Sequence, residues 1–158
     1  VDIALDRLPP EQLLPDSAKF FSCELFSEQQ CILMAPDSPL ASCETVPFAE
    51  MGGTSYITGL ENSMEDRSLK EFCKEFGITL GKIYRSDGIT TVINLIRNGK
   101  GVTLGPRSFA EHYGVHAVPV EPLTYVSLNF ICLKDRASAQ EITLFKNHLI
   151  KACSRFNS

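Results

Sequence analysis

Polar side chains gather where a predicted strand gives way to a helix. In the segment 84–90, Ser86 and Asp87 lie between the end of a predicted strand and a predicted helix, whose apolar residues begin at Ile89. Thr90 lies in the first turn of that helix. Such a junction presents unpaired backbone N–H groups and a partial positive charge, which favour a carboxylate or another anion. Capping of the helix by Ser86 or Asp87 explains the same residues equally well, and an Asp side chain pointing at the ligand would disfavour an anion.

A second polar loop has the same position relative to its strand. A short strand is predicted at 55–57, and the polar or flexible residues Thr58, Gly59, Glu61, Asn62 and Ser63 separate it from the next helix. Sheets in α/β proteins bind ligands at the carboxyl ends of their strands. The two polar strand ends therefore predict a ligand-binding cleft.

Templates for catalysis match poorly. The chain has no GxSxG nucleophile elbow, no Walker loop, no HExxH and no GxGxxG after a strand. The neighbours of His112, His116 and His148 favour structural or solvent-exposed roles for all three. A Cys–His nucleophile pair stays open because such partners meet in space and not in sequence. No catalytic residue is assigned, and an enzyme is not expected.

The cysteines indicate neither a metal site nor a cofactor. None of the six forms a CxxC pair or has a histidine nearby at metal-ligand spacing. Free thiols in a reducing cytoplasm are expected. Cys73 has Lys70 and Lys74 beside it, as a redox-sensing thiol would, but it lies on the apolar stripe of a predicted helix, which favours a buried filler.

The net charge and the hydropathy of the chain limit the kinds of partner that it can bind. Fifteen Lys and Arg against nineteen Asp and Glu give a net charge of -4, whereas nucleic-acid binders need a basic surface. Apolar runs fall short of the roughly 18 residues of a membrane span, and the first residues contain no basic-then-apolar signal. We therefore expect a cytoplasmic protein that does not grip DNA through this part of the chain.

Strand and helix signals alternate, as they do in a parallel or mixed sheet covered by helices. Strands are predicted at 1–5, 20–25, 31–35, 55–57, 82–85, 102–106, 115–120 and 125–133. Helices are predicted near 47–51, at 67–76, from Ile89 to the glycines at 99 and 101, near 107–113 and at about 138–156. The helix at 67–76 has apolar residues at i, i+3, i+4 and i+7 and ends at Gly77. Ser68 and Glu71 have capping-box spacing, which a helix that begins a few residues earlier would make a coincidence.

Four segments resemble the motifs of one family, in the family's order and spacing. Residues 1–5 (VDIAL) resemble its "vDlai" strand, and residues 24–34 (ELFSEQQCILM) are similar to its "L..E.l.lv" segment. Residues 37–41 (DSPLA) resemble its "HPLA" motif with serine replacing histidine, and residues 92–106 (VINLIRNGKGVTLGP) are similar to its "lVaaGlGiallP" signature. Over nearly its whole length the chain thus resembles the effector-binding domain of LysR-type transcriptional regulators.

The resemblance implies a fold similar to periplasmic type 2 solute-binding proteins. Two α/β lobes with mixed sheets are joined by two hinge crossings, and an effector binds between them. Residues 28–126 would form lobe II, and residues 1–27 and 127–158 would form part of lobe I. The first strand, first helix and second strand of lobe I are expected upstream, because the chain starts mid-domain. By the same resemblance, the cleft is lined by Asp6, Arg7, Thr58, Gly59, Ser86, Asp87, Thr90, Ser127 and Asn129.

The resemblance also implies partners. These are a small-molecule effector, a homodimer or homotetramer of the full-length protein, and DNA contacted only through an upstream winged helix-turn-helix; no membrane is involved. Arg7 is the obvious partner for an anionic effector, although an ion pair with Asp6 explains it equally well. Two alternatives share the two-lobed scaffold: a solute-binding protein of a transport system, which six unpaired cysteines disfavour, and an enzyme.

Overall fold

The computed structural model describes residues 2–8 and 18–156, and the chain divides into two compact units. Unit 1 consists of Val1–Glu28 and Tyr125–Ser158, and unit 2 of Gln29–Thr124. The chain therefore crosses between the units twice, beside the predicted lobe limits at 28 and 126.

Strands and helices alternate along the described chain. The strands are β1 (Ile3–Leu8), β2 (Phe20–Met34), β3 (Val46–Pro47), β4 (Tyr56–Thr58), β5 (Ile83–Arg85), β6 (Thr103–Pro106), β7 (His116–Glu121) and β8 (Tyr125–Leu133). The α-helices are α1 (Met64–Glu75), α2 (Ile89–Arg97), α3 (Arg107–Tyr113) and α4 (Gln140–Cys153), with short 3-10 helices at Pro39–Ser42, Phe48–Met51 and Ser154–Phe156. Within the described ranges, no helix is long and apolar enough to cross a membrane.

The end of β2 is the centre of the sheet in unit 2. It pairs antiparallel with β6 on one side and β7 on the other, and β3 pairs parallel with β7. Strands β4 and β5 pair parallel with each other, and a parallel bridge between Tyr56 and Val102 joins β4 to the segment that leads into β6. The mixed α/β sheet predicted from the sequence is confirmed.

Helices cover both faces of this sheet. Ile32 and Met34 of β2 belong to a core cluster that α1 completes through Leu69, whereas Cys31 and Leu33 belong to another cluster, completed by α2 and α3. Successive residues of a strand point to opposite faces, so the two clusters lie on opposite sides. All four β2 residues are fully buried. Burial on both faces explains why this segment is a continuous apolar run and not an alternating one.

Unit 1 contains a smaller antiparallel sheet. β8 lies between β1 and the beginning of β2, and its register with β1 runs from Ile3 opposite Cys132 to Leu8 opposite Ser127. Among the described residues of this unit, one core cluster of buried side chains forms where α4 packs on the sheet: Leu25, Phe130, Cys132, Ile142 and Cys153.

Two strands that were predicted separately form one continuous strand in the structure. The strands predicted at 20–25 and 31–35 are joined in the single strand β2, because the intervening segment 26–30 contains neither glycine nor proline to end it. The predicted helix at 138–156 is α4 followed by a 3-10 turn. Its Phe145 is exposed although helical spacing places it on the same side as the buried Ile142 and Cys153.

Two helix starts differ from their predictions. Helix α1 begins at Met64 and is capped by Ser63, so the capping-box spacing of Ser68 and Glu71 is a coincidence inside the helix. Helix α2 has Gly88 as its N-cap with no side-chain cap, and neither Ser86 nor Asp87 takes that position. Both differences concern the exact residue at which a helix starts, which depends on side-chain geometry more than on apolar spacing.

Candidate functional site

The nine predicted binding residues fall into two groups, one in each unit. The unit 1 group consists of Asp6, Arg7, Ser127 and Asn129, and the unit 2 group of Thr58, Gly59, Ser86, Asp87 and Thr90. Within each group the fold brings residues together that are far apart in the sequence.

The unit 1 group lies along the β1–β8 pair. Asp6 is the register partner of Asn129, and the Asn129 side-chain amide donates to the backbone oxygen of Ser127 at 3.0 Å. Ser127 is buried, and its hydroxyl donates to the Glu24 carboxylate at 2.6 Å. The exposed Asp6 carboxylate accepts the backbone N–H of Arg7 at 2.8 Å. Three predicted residues therefore form one polar patch on these two strands.

Arg7 is paired inside its own unit. Its guanidinium lies 2.6 Å from the Glu28 carboxylate and 5.7 Å from the centre of the Phe26 ring, where a cation is attracted to the aromatic face. The side chains of Arg7 and Glu28 are 36% and 17% exposed. An ion pair of Arg7 was one of the two interpretations of this residue, and the carboxylate belongs to Glu28 and not to Asp6.

The unit 2 group is assembled at the carboxyl ends of β4 and β5. These strands are parallel, so both end at the same edge of the sheet, with Thr58 in register with Arg85. The backbone N–H of Ser86 donates to the Thr58 oxygen at 3.0 Å, which extends the pairing by one residue. Thr58 is buried, whereas Asp87 is exposed. The two predicted polar strand ends are thus direct neighbours, and we call them the unit 2 edge.

The hydroxyl of Ser86 closes its own turn. It accepts the backbone N–H of Gly88 at 3.1 Å. A serine hydroxyl bonded two residues ahead is a frequent turn geometry. The exposed Thr90 follows in the first turn of α2, whose N-cap, Gly88, supplies no side-chain acceptor.

Gly59 allows the chain to fold back onto the start of α1. A Cβ atom at this position would lie 2.4 Å from the Ser63 hydroxyl oxygen and 2.8 Å from a carboxylate oxygen of Glu65. The same Ser63 hydroxyl accepts the backbone N–H of Asp66 at 3.3 Å and so caps the helix. Glycine at position 59 therefore has a packing role beside its predicted binding role.

Sequence reasoning did not find Asp66, the most deeply buried charged residue of this edge. Its side chain is 1% exposed and accepts the Lys70 ammonium at 2.7 Å, the backbone N–H of Asn62 at 3.0 Å and the Arg85 guanidinium. These three donors, Lys70 foremost, hold the pKa of the Asp66 carboxyl well below its usual range. The i, i+4 spacing of Asp66 and Lys70 is visible in the sequence, but the contact with Arg85 depends on the fold.

All six cysteines are free thiols. Burial raises the pKa of the Cys73 thiol, the opposite of the shift that makes a cysteine reactive at neutral pH. Cys73 packs against the core cluster that contains Leu69, as expected of a filler. Within residues 2–8 and 18–156, no group of three or more His, Cys, Asp or Glu side chains could hold a metal ion.

Residues 1–154 match the family model of the LysR substrate binding domain. The chain belongs to this family. The resemblance inferred from the four motifs is confirmed, and with it the periplasmic-binding-protein-like fold.

Similar proteins include curated regulators of Escherichia coli and several solved regulatory domains. The DNA-binding transcriptional dual regulator OxyR of Escherichia coli (strain K12) is 30% identical over 96 residues, which are 60% of this chain and 31% of OxyR. The regulatory domain of Synechocystis PCC6803 CcmR, solved in complex with 2-PG, has a TM-score of 0.78 at 11% identity, covering 96% of this chain and 73% of that one. The effector-binding domain of QuiR, solved in complex with shikimate, has a TM-score of 0.72 at 19% identity, covering 98% and 72%.

Proposed function

We propose that this chain is the ligand-sensing part of a LysR-type transcription regulator that binds a small polar metabolite and catalyses no reaction. The observation that carries the proposal is the unit 2 edge, where parallel β4 and β5 bring Thr58 and Ser86 side by side in a family of substrate-binding domains. Ligands of open α/β sheets bind outside the carboxyl ends of the strands. The structures of CcmR with 2-PG and QuiR with shikimate support a small molecule as the effector.

In this proposal, the predicted residues of each group are the effector contacts of their own unit. Arg7 is already paired with Glu28, and Lys70 and Arg85 are both paired with Asp66. A cation that is already paired with a carboxylate binds an additional anion less strongly than an unpaired cation does, because the two anions must share its charge. The effector is therefore recognised mainly through hydroxyl and backbone hydrogen bonds.

Regulation follows from linkage between effector and conformation. An effector that binds one arrangement of the regulator better than another shifts the population towards it by its difference in affinity. The proposed full-length protein is a cytoplasmic homodimer or homotetramer that contacts DNA through an upstream winged helix-turn-helix. A change in the populations of these arrangements would then alter how the oligomer positions its DNA-binding domains.

The test is a thermal-shift screen of metabolites on the full-length protein. We expect at least one polar metabolite to raise the melting temperature, and Ser86→Ala and Thr58→Ala to reduce that increase relative to each variant's own ligand-free value. Ser42→Ala is the matched control, because Ser42 is an exposed serine of the same unit that bonds only within its own turn, to the Pro39 oxygen.

Two results would count against the proposal. Equal shifts in the wild type and in both site variants would remove Thr58 and Ser86 from the binding site. A screen in which no metabolite raises the melting temperature, together with turnover of a substrate that is lost in Asp87→Ala, would favour an enzyme.

A further inference from the structure

Asp66 joins three segments that meet at the unit 2 edge. It lies in the first turn of α1, it accepts the backbone N–H of Asn62 in the preceding loop, and it binds the guanidinium of Arg85 at the end of β5. Arg85 is in turn the register partner of Thr58 at the end of β4. One carboxylate therefore connects the loop after β4 to the strand end that continues into Ser86.

The two cations on Asp66 differ in exposure. The Arg85 side chain is 31% exposed and the Lys70 side chain 54%, against 1% for Asp66. A carboxylate removed from water stays ionised only when charges and hydrogen bonds replace its hydration. Lys70 belongs to α1, the same helix as Asp66, whereas Arg85 is the last residue of β5, so the contact with Arg85 is the one that joins two separate segments.

The loop between β4 and α1 contains one residue in a left-handed conformation. Asn62 has a φ of 65°, in the region that asparagine adopts more often than most residues other than glycine do. Such residues persist where their surroundings hold them in place. Here the Asn62 N–H donates to Asp66 at 3.0 Å, and Gly59 lies against the Ser63 side chain. The loop is thus fixed at both of its ends.

We infer that Asp66 is a positioning residue: it holds the 59–63 loop and the end of β5 at one spacing, so that the unit 2 edge is formed before the effector arrives. The carboxylate itself contacts no effector, since its oxygens are already bonded to Asn62, Lys70 and Arg85. A preformed site loses less conformational entropy on binding and so binds more tightly. The inference rests on the proposed function, because it treats this edge as part of a binding site.

The test is hydrogen–deuterium exchange of the full-length protein without effector. Asp66→Asn preserves the size of the side chain and removes its charge, and Glu71→Gln is the matched control because it makes the same change at an exposed position of the same helix. We expect amide exchange in segments 59–63 and 86–88 to become about tenfold faster in Asp66→Asn, the effect of losing a hydrogen bond to a charged group. Exchange at residues 31–34 and throughout Glu71→Gln stays as in the wild type.

Variants of the two cations distinguish positioning from general stability. Arg85→Met should reproduce the local effect of Asp66→Asn, Arg85→Lys should restore most of the protection, and Lys70→Gln should have a smaller effect than Arg85→Met. A general loss of stability would instead accelerate exchange at residues 31–34 as well and would not depend on the charge at position 85. That outcome, or unchanged exchange in Asp66→Asn, would overturn the inference.

The exchange measurement tests the positioning role of Asp66, whereas the metabolite screen tests the proposed function, so one can give a negative result without the other. If a metabolite is found, its dissociation constant should increase about tenfold in Asp66→Asn, matching the loss of protection, and stay unchanged in Glu71→Gln. Unchanged affinity with faster local exchange would show that Asp66 fixes the loop without preparing a binding site, and would overturn the inference but leave the proposed function intact. A screen that finds nothing counts against the proposed function, whatever the exchange data show.

Discussion

The two units of this chain bury their sheets differently. In unit 2, successive residues of β2 enter clusters on both sides of the sheet, with α1 on one face and α2 and α3 on the other. In the described part of unit 1, one cluster forms on the β1–β8–β2 sheet, and Leu5 of β1 is 48% exposed. Unit 2 therefore buries more apolar side chains than the described part of unit 1, and burial of apolar surface is the main stabilising contribution to folding.

The candidate binding groups show the same contrast. The ion pair of unit 1, between Arg7 and Glu28, is partly open to solvent, whereas the carboxylate of unit 2, Asp66, is buried beneath two cations. A solvent-exposed pair is screened and contributes little, whereas a buried charge must be held by its partners. We therefore expect the unit 2 edge to have one fixed geometry and the unit 1 group to adjust to its ligand.

The largest effect should come from removing one buried ring in each unit. Phe130 in unit 1 and Phe48 in unit 2 are both fully buried, and Phe48 packs against Phe72 and Phe76 with ring centres 5.1 and 5.7 Å apart. Replacing either by alanine should lower the free energy of unfolding of its own unit by about 3–5 kcal/mol, measured by urea denaturation. Hydrogen exchange should accelerate in β1 and β8 for Phe130→Ala, and in β6 and β7 for Phe48→Ala. Equal acceleration in both units for each variant would show that they unfold together.

A smaller effect is expected from filling the close contact in the unit 2 loop. Gly59→Ala forces a Cβ atom into the Ser63 side chain and disturbs the cap of α1, and should cost about 1–2 kcal/mol in the free energy of unfolding. Gly52→Ala is the control in the same unit, because no atom lies within 4 Å of its added Cβ. A cost for Gly52→Ala as large as that for Gly59→Ala would mean that the close contact does not matter.

The smallest effect should be found at the unit 1 ion pair. A double-mutant cycle of Arg7→Gln and Glu28→Gln should give a coupling below about 1 kcal/mol that decreases with added salt, because Arg7 is 36% exposed. A larger coupling that salt does not change would contradict the contrast drawn between the two units. Urea denaturation at low and high ionic strength measures it.

Apolar spacing predicted the helices well because helix periodicity is a local property. Leu69 and Phe72 of α1, its C-cap Phe76, and Ile93 and Ile96 of α2 are spaced to lie on one side of each helix. All five belong to or pack against the two core clusters of unit 2. The helix starts were less predictable. Ser63 is selected as the cap of α1 by the return of the chain at Gly59, which no spacing shows.

By itself, the sequence determined the alternation of strands and helices, the family, and the polar character of the ends of β4 and β5. Those properties are encoded in residues close together along the chain. Only the tertiary structure decided that β2 is one strand, that Arg7 is paired with Glu28, and that Asp66 binds Arg85 across 19 positions of sequence. The physical reason is that burial and charge pairing depend on which segments meet in space, and a carboxylate becomes deeply buried only where the fold brings cations to it.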